Sequence, residues 1–279
     1  MSSETPTKAQ DVQDIPPPAI PPHRGVKFWG TFACLCLLAF ISALDVSVIS
    51  IALPTITADI GGARKYVWIA NSFVIASSVL QPLFGQLANV FGRRAPLISS
   101  VLAFALGTGI AGGAHTANMF IAGRTIQGAG AGGVYVLLDI VCCDLVPLRE
   151  RGKFLGLMFA WSGVAAGLGP PIGGALAQAD WRWIFWMQLP ICGLALGGLL
   201  VFMQVGNGAG MTRGMSVKAK LGRLDVVGNL IFTPSMIFLL LGLVQGGIQH
   251  PWGSWRIVVP MVLGIVGWMC FHVQQFFVK

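Results

Sequence analysis

The chain has 279 residues, of which 55% are hydrophobic and only 10% are charged, and its mean hydropathy is +0.75. Because about a quarter of the residues in an average soluble domain are charged, this composition excludes a disordered protein, a collagen-like repeat, a nucleic-acid-binding domain and an ordinary soluble enzyme. The formal net charge of +8 is typical of a membrane protein with basic cytoplasmic loops. The composition therefore predicts a protein whose partner is the lipid bilayer, with no nucleic acid bound.

Charged residues occur in clusters, and the uncharged stretches between the clusters are long enough to cross a membrane. A spanning helix needs about 20 apolar residues, whereas residues 66–92 alone form 27 consecutive positions without Asp, Glu, Lys or Arg. Two other candidate stretches are apolar except for internal charges that include Asp45 and Arg124. The sequence predicts an all-α integral membrane protein with eight spans, near residues 28–51, 66–88, 95–114, 118–139, 153–177, 183–204, 226–246 and 256–277.

The hydrophilic segments divide the chain into four parts. Residues 1–27 are polar and rich in proline, which predicts a disordered cytoplasmic tail. No cleaved signal peptide is expected, because no basic stretch leads into a short apolar one followed by a cleavage site. Residues 28–205 hold the first six spans, the basic residues 206–225 predict a cytoplasmic linker, and residues 226–279 hold the last two spans.

The distribution of Lys and Arg predicts the orientation of the chain. With both chain ends on one side of the membrane, 13 Lys and Arg residues lie on that side and 4 lie on the other. Because cytoplasmic loops are enriched in these residues, both ends are expected to face the cytoplasm. Tryptophan is common at membrane interfaces, and six tryptophans flank the predicted outer ends: Trp68, Trp181, Trp183, Trp186, Trp252 and Trp255.

The sequence contains no pattern that indicates an enzyme, a metal site or a cofactor site. Its six cysteines lie within or beside apolar spans, and no CxxC or His/Cys ligand spacing occurs. The polar clusters within the spans contain no histidine that could activate a nucleophile, and no G-x4-G-K-[ST] loop is present to bind a nucleotide. We therefore expect neither a catalytic residue nor a bound cofactor.

The turn between the second and third predicted spans carries the first informative motif. Its order, G-x-L-a-N-x-x-G-R-R, runs from Gly85 to Arg94. A basic hairpin at the inner membrane surface would explain the arginines alone, but the full order resembles the signature loop of the major facilitator superfamily. The resemblance implies a gating loop that includes Gly85, Asn89, Gly92, Arg93 and Arg94. Asn89 stands where that family usually has Asp, which removes the charge of an interdomain salt bridge.

The fourth predicted span contains an arginine, which is costly in a membrane and needs a partner or a water-filled cavity unless it reaches the interface. Both explanations remain open for Arg124, which lies near the predicted outer end. The pattern R-x-x-Q-G-x-G resembles the fourth-helix motif of the superfamily, which implies proton coupling by Arg124 and packing by Gln127 and Gly128. We expect Asp139 and Asp144, at the other end of the span, to be interfacial residues, with a catalytic role as the alternative.

The fifth predicted span combines a proline with small residues at regular spacing. Proline kinks a helix, and small residues allow close helix packing. The spacing resembles the antiporter motif of the superfamily, with Ala165 at a position that is usually Gly. The resemblance implies a hinge and seal formed by Gly156, Ala165, Gly169, Pro170, Gly173 and Gly174.

The first span and the last two spans refine the resemblance. Asp45 is an acid inside an apolar span, and it could bind a proton or steady a helix pair. The segment around it resembles the first-helix motif of drug:proton antiporters in this family. The segments 224–229 and 251–255 resemble the extra helix pair that fourteen-span exporters insert between their halves, and fungal multidrug and toxin efflux pumps match best.

The resemblance implies the N-terminal six-helix bundle of the superfamily followed by two further helices. It also implies a plasma-membrane exporter that exchanges protons for small apolar organic compounds such as drugs, toxins or secondary metabolites, with coupling by Asp45 and Arg124. Because the substrate path of such a transporter lies between two halves, we expect a C-terminal half in cis or in trans. The alternative is a truncated membrane half that does not transport and acts as a regulatory partner.

Overall fold

The computed structural model describes residues 25–203 and 224–278, and these residues form nine α-helices and two short 3-10 turns. The helices are α1 (Val26–Asp59), α2 (Tyr66–Phe91), α3 (Arg94–Gly112), α4 (Ala117–Leu145), α5 (Arg151–Ala179), α6 (Trp183–Trp186), α7 (Gln188–Phe202), α8 (Val226–Gln245) and α9 (Trp255–Val278). When α6 and α7 are counted as one span, eight segments of the described ranges are long and apolar enough to cross a membrane. The predicted all-α membrane fold is confirmed.

Two helices run six or more residues past their predicted ends. The predicted first span stopped at residue 51, before Pro54, but α1 continues through that proline to Asp59. The extra turns bury Ile56 and other apolar side chains in the core, and this packing outweighs the bias of proline against a continuous helix. Similarly, α4 continues past residue 139 to Leu145 because Val141 is fully buried.

The predicted tail and linker fall mainly on residues 1–24 and 204–223, which lie outside the described residues. The tail was predicted to extend to residue 27, whereas α1 already begins at Val26. At the other boundary, Asp225 caps α8 by accepting a 2.7 Å hydrogen bond from the backbone N–H of Gly228. Helix α8 therefore begins with a side-chain cap.

Close helix packing places α4 at the centre of the first bundle, between α2 and α3. A Cβ atom at Gly128 would overlap the backbone carbonyl of Phe73 on α2, and one at Gly130 would overlap the backbone of Phe104 on α3. Small residues are what allow two helix backbones to approach this closely in a membrane protein. Side chains of α4 that point between its neighbours are consequently buried.

One of the six predicted interfacial tryptophans belongs to the core instead. Trp181 is buried and packs edge-to-face against Phe120 and Phe185, with ring centroids 5.8 Å and 6.1 Å away. Its indole N–H donates a 3.0 Å hydrogen bond to Asp59 at the end of α1. Its neighbours shield the Trp181 ring, and its N–H bonds to a half-exposed carboxylate at the end of α1, whereas Trp183 is exposed.

The last two helices pack against each other, and α8 also contacts α2. The side-chain amide of Asn229 on α8 donates a 2.7 Å hydrogen bond to Gln86 on α2. At the same end of the pair, Asp225 accepts hydrogen bonds from Gln274 and Gln275 of α9. The pair is thus tied to the six-span bundle beside the turn that carries the first motif.

Candidate functional site

Asp45 and Arg124 meet in the interior of the bundle. An Nη1 atom of Arg124 on α4 lies 2.7 Å from Oδ2 of Asp45 on α1, and the two side chains are 3% and 0% exposed. Arg124 therefore pairs with an acid inside the protein, and it does not extend to the outer interface. Neither residue carries a net charge into the membrane alone, because each neutralises the other.

Two glutamines complete a group that we call the central cluster: Asp45, Arg124, Gln127 and Gln188. Gln127 accepts a 2.6 Å hydrogen bond from Arg124 and donates one of 3.0 Å to Asp45. Gln188, at the start of α7, donates a 2.9 Å hydrogen bond to the same carboxylate oxygen. A buried polar group must be hydrogen-bonded to be tolerated, and the amides supply these bonds.

The central cluster differs from the sequence prediction in its membership. Gln127 was assigned to helix packing, but its side chain bonds to both members of the ion pair. Gln188 was not predicted at all. The signal in the sequence was a polar amide within an apolar span, next to Leu189 and Pro190. A search restricted to charged residues does not detect it, although the side chain is buried in the structure.

The guanidinium of Arg124 has a further contact, and its buried Nε atom has no hydrogen-bond partner among the described residues. Its Cζ atom lies 4.3 Å from the centroid of the Phe73 ring, which is a cation–π contact. The arginine is held by one carboxylate, one amide and one ring, so most of its attachment depends on the charge of Asp45.

A cavity of about 690 Å³ lies beside the central cluster, between α1, α4 and α5. Its lining is mainly apolar and includes Ser47, Ser50, Ser162 and Asp139. Small-molecule sites in proteins typically measure about 300–1,000 Å³ and combine an apolar lining with a few polar groups. Ser47 is separated from Asp45 by one residue of α1, so the cavity and the cluster share a helix.

The predicted gating loop is the sharp turn between α2 and α3. Gly92 has φ = 87°, a conformation that favours glycine. Arg93 donates 2.8 Å hydrogen bonds to the carboxylate of Asp144 on α4 and to a backbone carbonyl of α2. Arg94 donates to the carbonyl of residue 200 on α7 at 2.7 Å. The arginines therefore join this turn to two helices of the same bundle.

The remaining residues of that loop have fewer contacts. Asn89 is exposed, and its side chain makes no hydrogen bond within the described part of the chain. Gly85 lies on α2, where an added Cβ would make an ordinary 3.7 Å contact with Val136 of α4. Neither residue approaches its neighbours as closely as Gly128 does.

The predicted antiporter motif divides between two faces of α5. Ala165, Gly169 and Gly173 are buried, and a Cβ at Gly169 would overlap the side chain of Ser47 on α1. Gly156 and Gly174 lie on the other side of the helix, where an added Cβ would meet nothing within 4 Å, and Pro170 is exposed as well. The helix itself continues without interruption through its prolines.

No group of three His, Cys, Asp or Glu side chains suited to a metal ion occurs in residues 25–203 and 224–278. The polar chemistry of this site consists of a carboxylate, a guanidinium, two amides and the hydroxyls of the cavity. These groups can bind protons and small molecules and can hold an ion pair.

Eight apolar helices in the described ranges, packed around a buried ion pair, are the features of an integral multi-pass membrane protein. Residues 35–209 match the family model described as Major Facilitator Superfamily, and the chain belongs to that superfamily. The MFS efflux transporter aclA of Aspergillus oryzae is 47% identical over 253 residues, which cover 90% of this chain and 45% of the relative. The MFS-type efflux pump LUC4 of a Fusarium species is 41% identical, over 99% of this chain and 49% of the relative.

The chain thus spans about half the length of the curated relatives that it matches. These relatives carry the names of transporters and efflux pumps, and the chain is accordingly not an enzyme. Among solved structures, the inward-open xylose transporter XylE of E. coli has a TM-score of 0.51 at 14% identity. That match covers 86% of this chain and 80% of the compared chain, and it shows a shared fold.

Proposed function

We propose that this chain is the N-terminal half of a plasma-membrane exporter that exchanges protons for small apolar organic compounds. The observation that carries the proposal is the buried ion pair between Asp45 and Arg124, because an acid inside a membrane bundle is a candidate proton-binding group. The names of relatives as efflux pumps support the direction of transport. Export needs no nucleotide in this proposal, because the proton gradient drives it.

Coupling follows from competition for the carboxylate of Asp45. A proton and the guanidinium of Arg124 both bind that carboxylate. When both are bound, one positive charge remains without a counter-charge inside the bundle. Protonation of Asp45 therefore weakens its bond to Arg124 and allows α1 to move relative to α4. Because α1 also lines the cavity through Ser47, this movement changes the substrate site.

The turn and α5 supply the moving parts in this proposal. The Arg93–Asp144 pair holds the α2–α3 turn against α4. In this proposal the pair separates during gating. The buried face of α5 seals against α1, while the face with Gly156 and Gly174 packs against a C-terminal half, in cis or in trans. Open space above both glycines supports a close partner at that face.

The proposal is tested on a completed transporter, which we define as this chain followed by the C-terminal part of the Aspergillus oryzae relative that it does not cover. Inverted vesicles containing it receive an imposed pH gradient and the uncharged fluorescent probe N-phenyl-1-naphthylamine. We expect gradient-driven accumulation of the probe by the parent protein and none by Asp45→Asn. Equal accumulation by both proteins removes Asp45 from the mechanism, and none by either contradicts the proposal.

A second measurement separates lost coupling from lost folding. Exchange of labelled for unlabelled probe across the membrane needs no net proton movement, so Asp45→Asn should retain it. The matched variant Asp45→Glu keeps a titratable acid and should retain some gradient-driven accumulation. Loss of exchange in Asp45→Asn together with full activity of Asp180→Asn, a charge-matched control beyond α5, would instead assign Asp45 a structural role.

A further inference from the structure

Asp139 is a charged residue that neither the ion pairs nor the proposed coupling step uses. It lies on α4 and lines the cavity between α1, α4 and α5, where it is the one side chain with a formal charge among the described lining residues. Arg124 precedes it by 15 residues in the sequence, or about 22 Å along a helix that rises 1.5 Å per residue. The two positions therefore lie at different depths in the membrane.

Asp139 also differs from the other acids of the bundle in its partners. Asp45 pairs with Arg124 and Asp144 pairs with Arg93, but Asp139 makes no ion pair or hydrogen bond with any described residue. An ionisable residue within a membrane span is normally paired or faces a cavity that serves function. Asp139 is exposed toward the cavity, so a positive charge that enters the cavity can reach its carboxylate.

The uncharged polar groups of the cavity also favour a positively charged ligand. The hydroxyls of Ser47, Ser50 and Ser162 donate to backbone carbonyls at 2.8, 2.7 and 3.3 Å, and that of Tyr135 does so at 3.5 Å. Their protons are thereby directed to the protein, and the oxygens remain as acceptors. The lining thus presents acceptors and one carboxylate, which suit a cation and disfavour an anion.

We infer that this cavity binds apolar molecules that carry a positive charge more tightly than uncharged ones, with Asp139 facing the charged group. The inference rests on the proposed function, because it takes the cavity as part of the export path, and it adds the class of substrate. In this arrangement Asp45 binds the proton and Asp139 binds the substrate. Aromatic and aliphatic side chains such as Phe159 and Met158 contact the apolar part of the molecule.

Equilibrium binding to the completed transporter in nanodiscs tests this assignment with two probes of similar chemistry. Tetraphenylphosphonium carries a permanent positive charge, and triphenylphosphine oxide is uncharged. We expect Asp139→Asn to lower the affinity for the cation by about tenfold or more, since it removes the facing charge, and to leave the affinity for the oxide unchanged. Asp139→Glu keeps the charge and should keep most of the cation affinity.

Three results overturn the inference: unchanged cation affinity in Asp139→Asn, an equal loss for both probes, or loss of cation binding in the charge-matched control Asp180→Asn. Asp180 lies beyond α5 and outside the cavity lining. Binding needs no pH gradient, so the two proposals fail separately. If export depends on Asp45 but cation binding does not depend on Asp139, only this inference is wrong. If cation binding depends on Asp139 but no gradient-driven export occurs, only the proton coupling is wrong.

Discussion

Helix α4 contributes to two ion pairs that have nearly the same geometry and very different surroundings. The Arg124–Asp45 pair has an N–O distance of 2.7 Å and side chains that are 3% and 0% exposed. The Arg93–Asp144 pair has a distance of 2.8 Å, but its side chains are 19% and 35% exposed. Because the distances are nearly equal, burial rather than distance decides what each pair contributes to stability.

The surroundings also differ in the bonds that support each pair. In the central cluster, two glutamine side chains bond to the Asp45 carboxylate, and that carboxylate has no access to solvent. At the turn, Arg93 has a backbone carbonyl as its second acceptor, and water can replace the carboxylate of Asp144. The buried pair is therefore sensitive to any loss of a partner, while the exposed pair can open and close at little cost.

The largest effect is expected when one member of the buried pair is removed. Arg124→Leu leaves the carboxylate of Asp45 without a counter-charge, which should lower the free energy of unfolding by about 3–5 kcal/mol. Titration of the completed transporter with SDS in mixed micelles, followed by tryptophan fluorescence, measures this loss. Arg93→Leu, measured in the same way, should lose far less.

The double variant Asp45→Asn with Arg124→Gln provides the control. It removes both charges and keeps hydrogen-bonding groups of similar size. Its free energy of unfolding should therefore be closer to that of the parent protein than the value for Arg124→Leu is. If the double variant is as unstable as the single one, the destabilisation comes from lost packing around Phe73 and not from an unpaired charge.

The next largest loss of stability is expected where α5 packs closely against α1, the helix that carries Asp45. Gly169→Val places side-chain atoms where Ser47 of α1 now lies, and such overpacking should lower the free energy of unfolding by about 2–3 kcal/mol. Gly174→Val on the same helix is the matched control, because its Cβ meets no atom within 4 Å. Similar losses in the two variants would show that the substitution acts through helix propensity alone.

The sequence was sufficient to predict the helices but not the way in which their polar residues combine. Long apolar stretches require spanning helices, and the charges of Asp45 and Arg124 stood out because so few residues in those spans are charged. Their pairing joins residues that are 79 positions apart, and periodicity within one helix carries no information about such contacts. Gln188 was missed because an amide does not interrupt an apolar pattern strongly.

The same limit explains the residues whose surroundings differed from expectation. Tryptophan is a residue type common at membrane interfaces, and only the fold shows that Asp59 is near enough to accept a hydrogen bond from the indole N–H of Trp181. The small residues of α5 share a spacing, yet Gly169 faces α1 and Gly174 faces open space. Sequence spacing predicts which residues share a helix face, whereas the neighbouring helices decide which face is buried.

A smaller effect should follow from removing one amide of the central cluster. Gln188→Leu keeps the size of the side chain but deletes the 2.9 Å hydrogen bond to Asp45, which should lower the free energy of unfolding by about 1–2 kcal/mol. Gln178→Leu, at an exposed position near the end of α5, is the control and should change little in the same SDS titration. A neutral result for Gln188→Leu would mean that Gln127 alone satisfies the carboxylate.

The smallest effect is expected at the exposed pair, and a double-mutant cycle can resolve it. Arg93→Gln, Asp144→Asn and the combined variant should give a coupling free energy of about 0.2–1 kcal/mol, because both side chains reach solvent. Raising the salt from 0.1 to 1 M shortens the screening length from about 10 Å to about 3 Å, so this coupling should shrink. The same salt change should leave the loss caused by Arg124→Leu unaltered, since ions do not reach the central cluster. A coupling at the turn that is large and independent of salt would show that the two pairs share one environment, and the contrast between them would not hold.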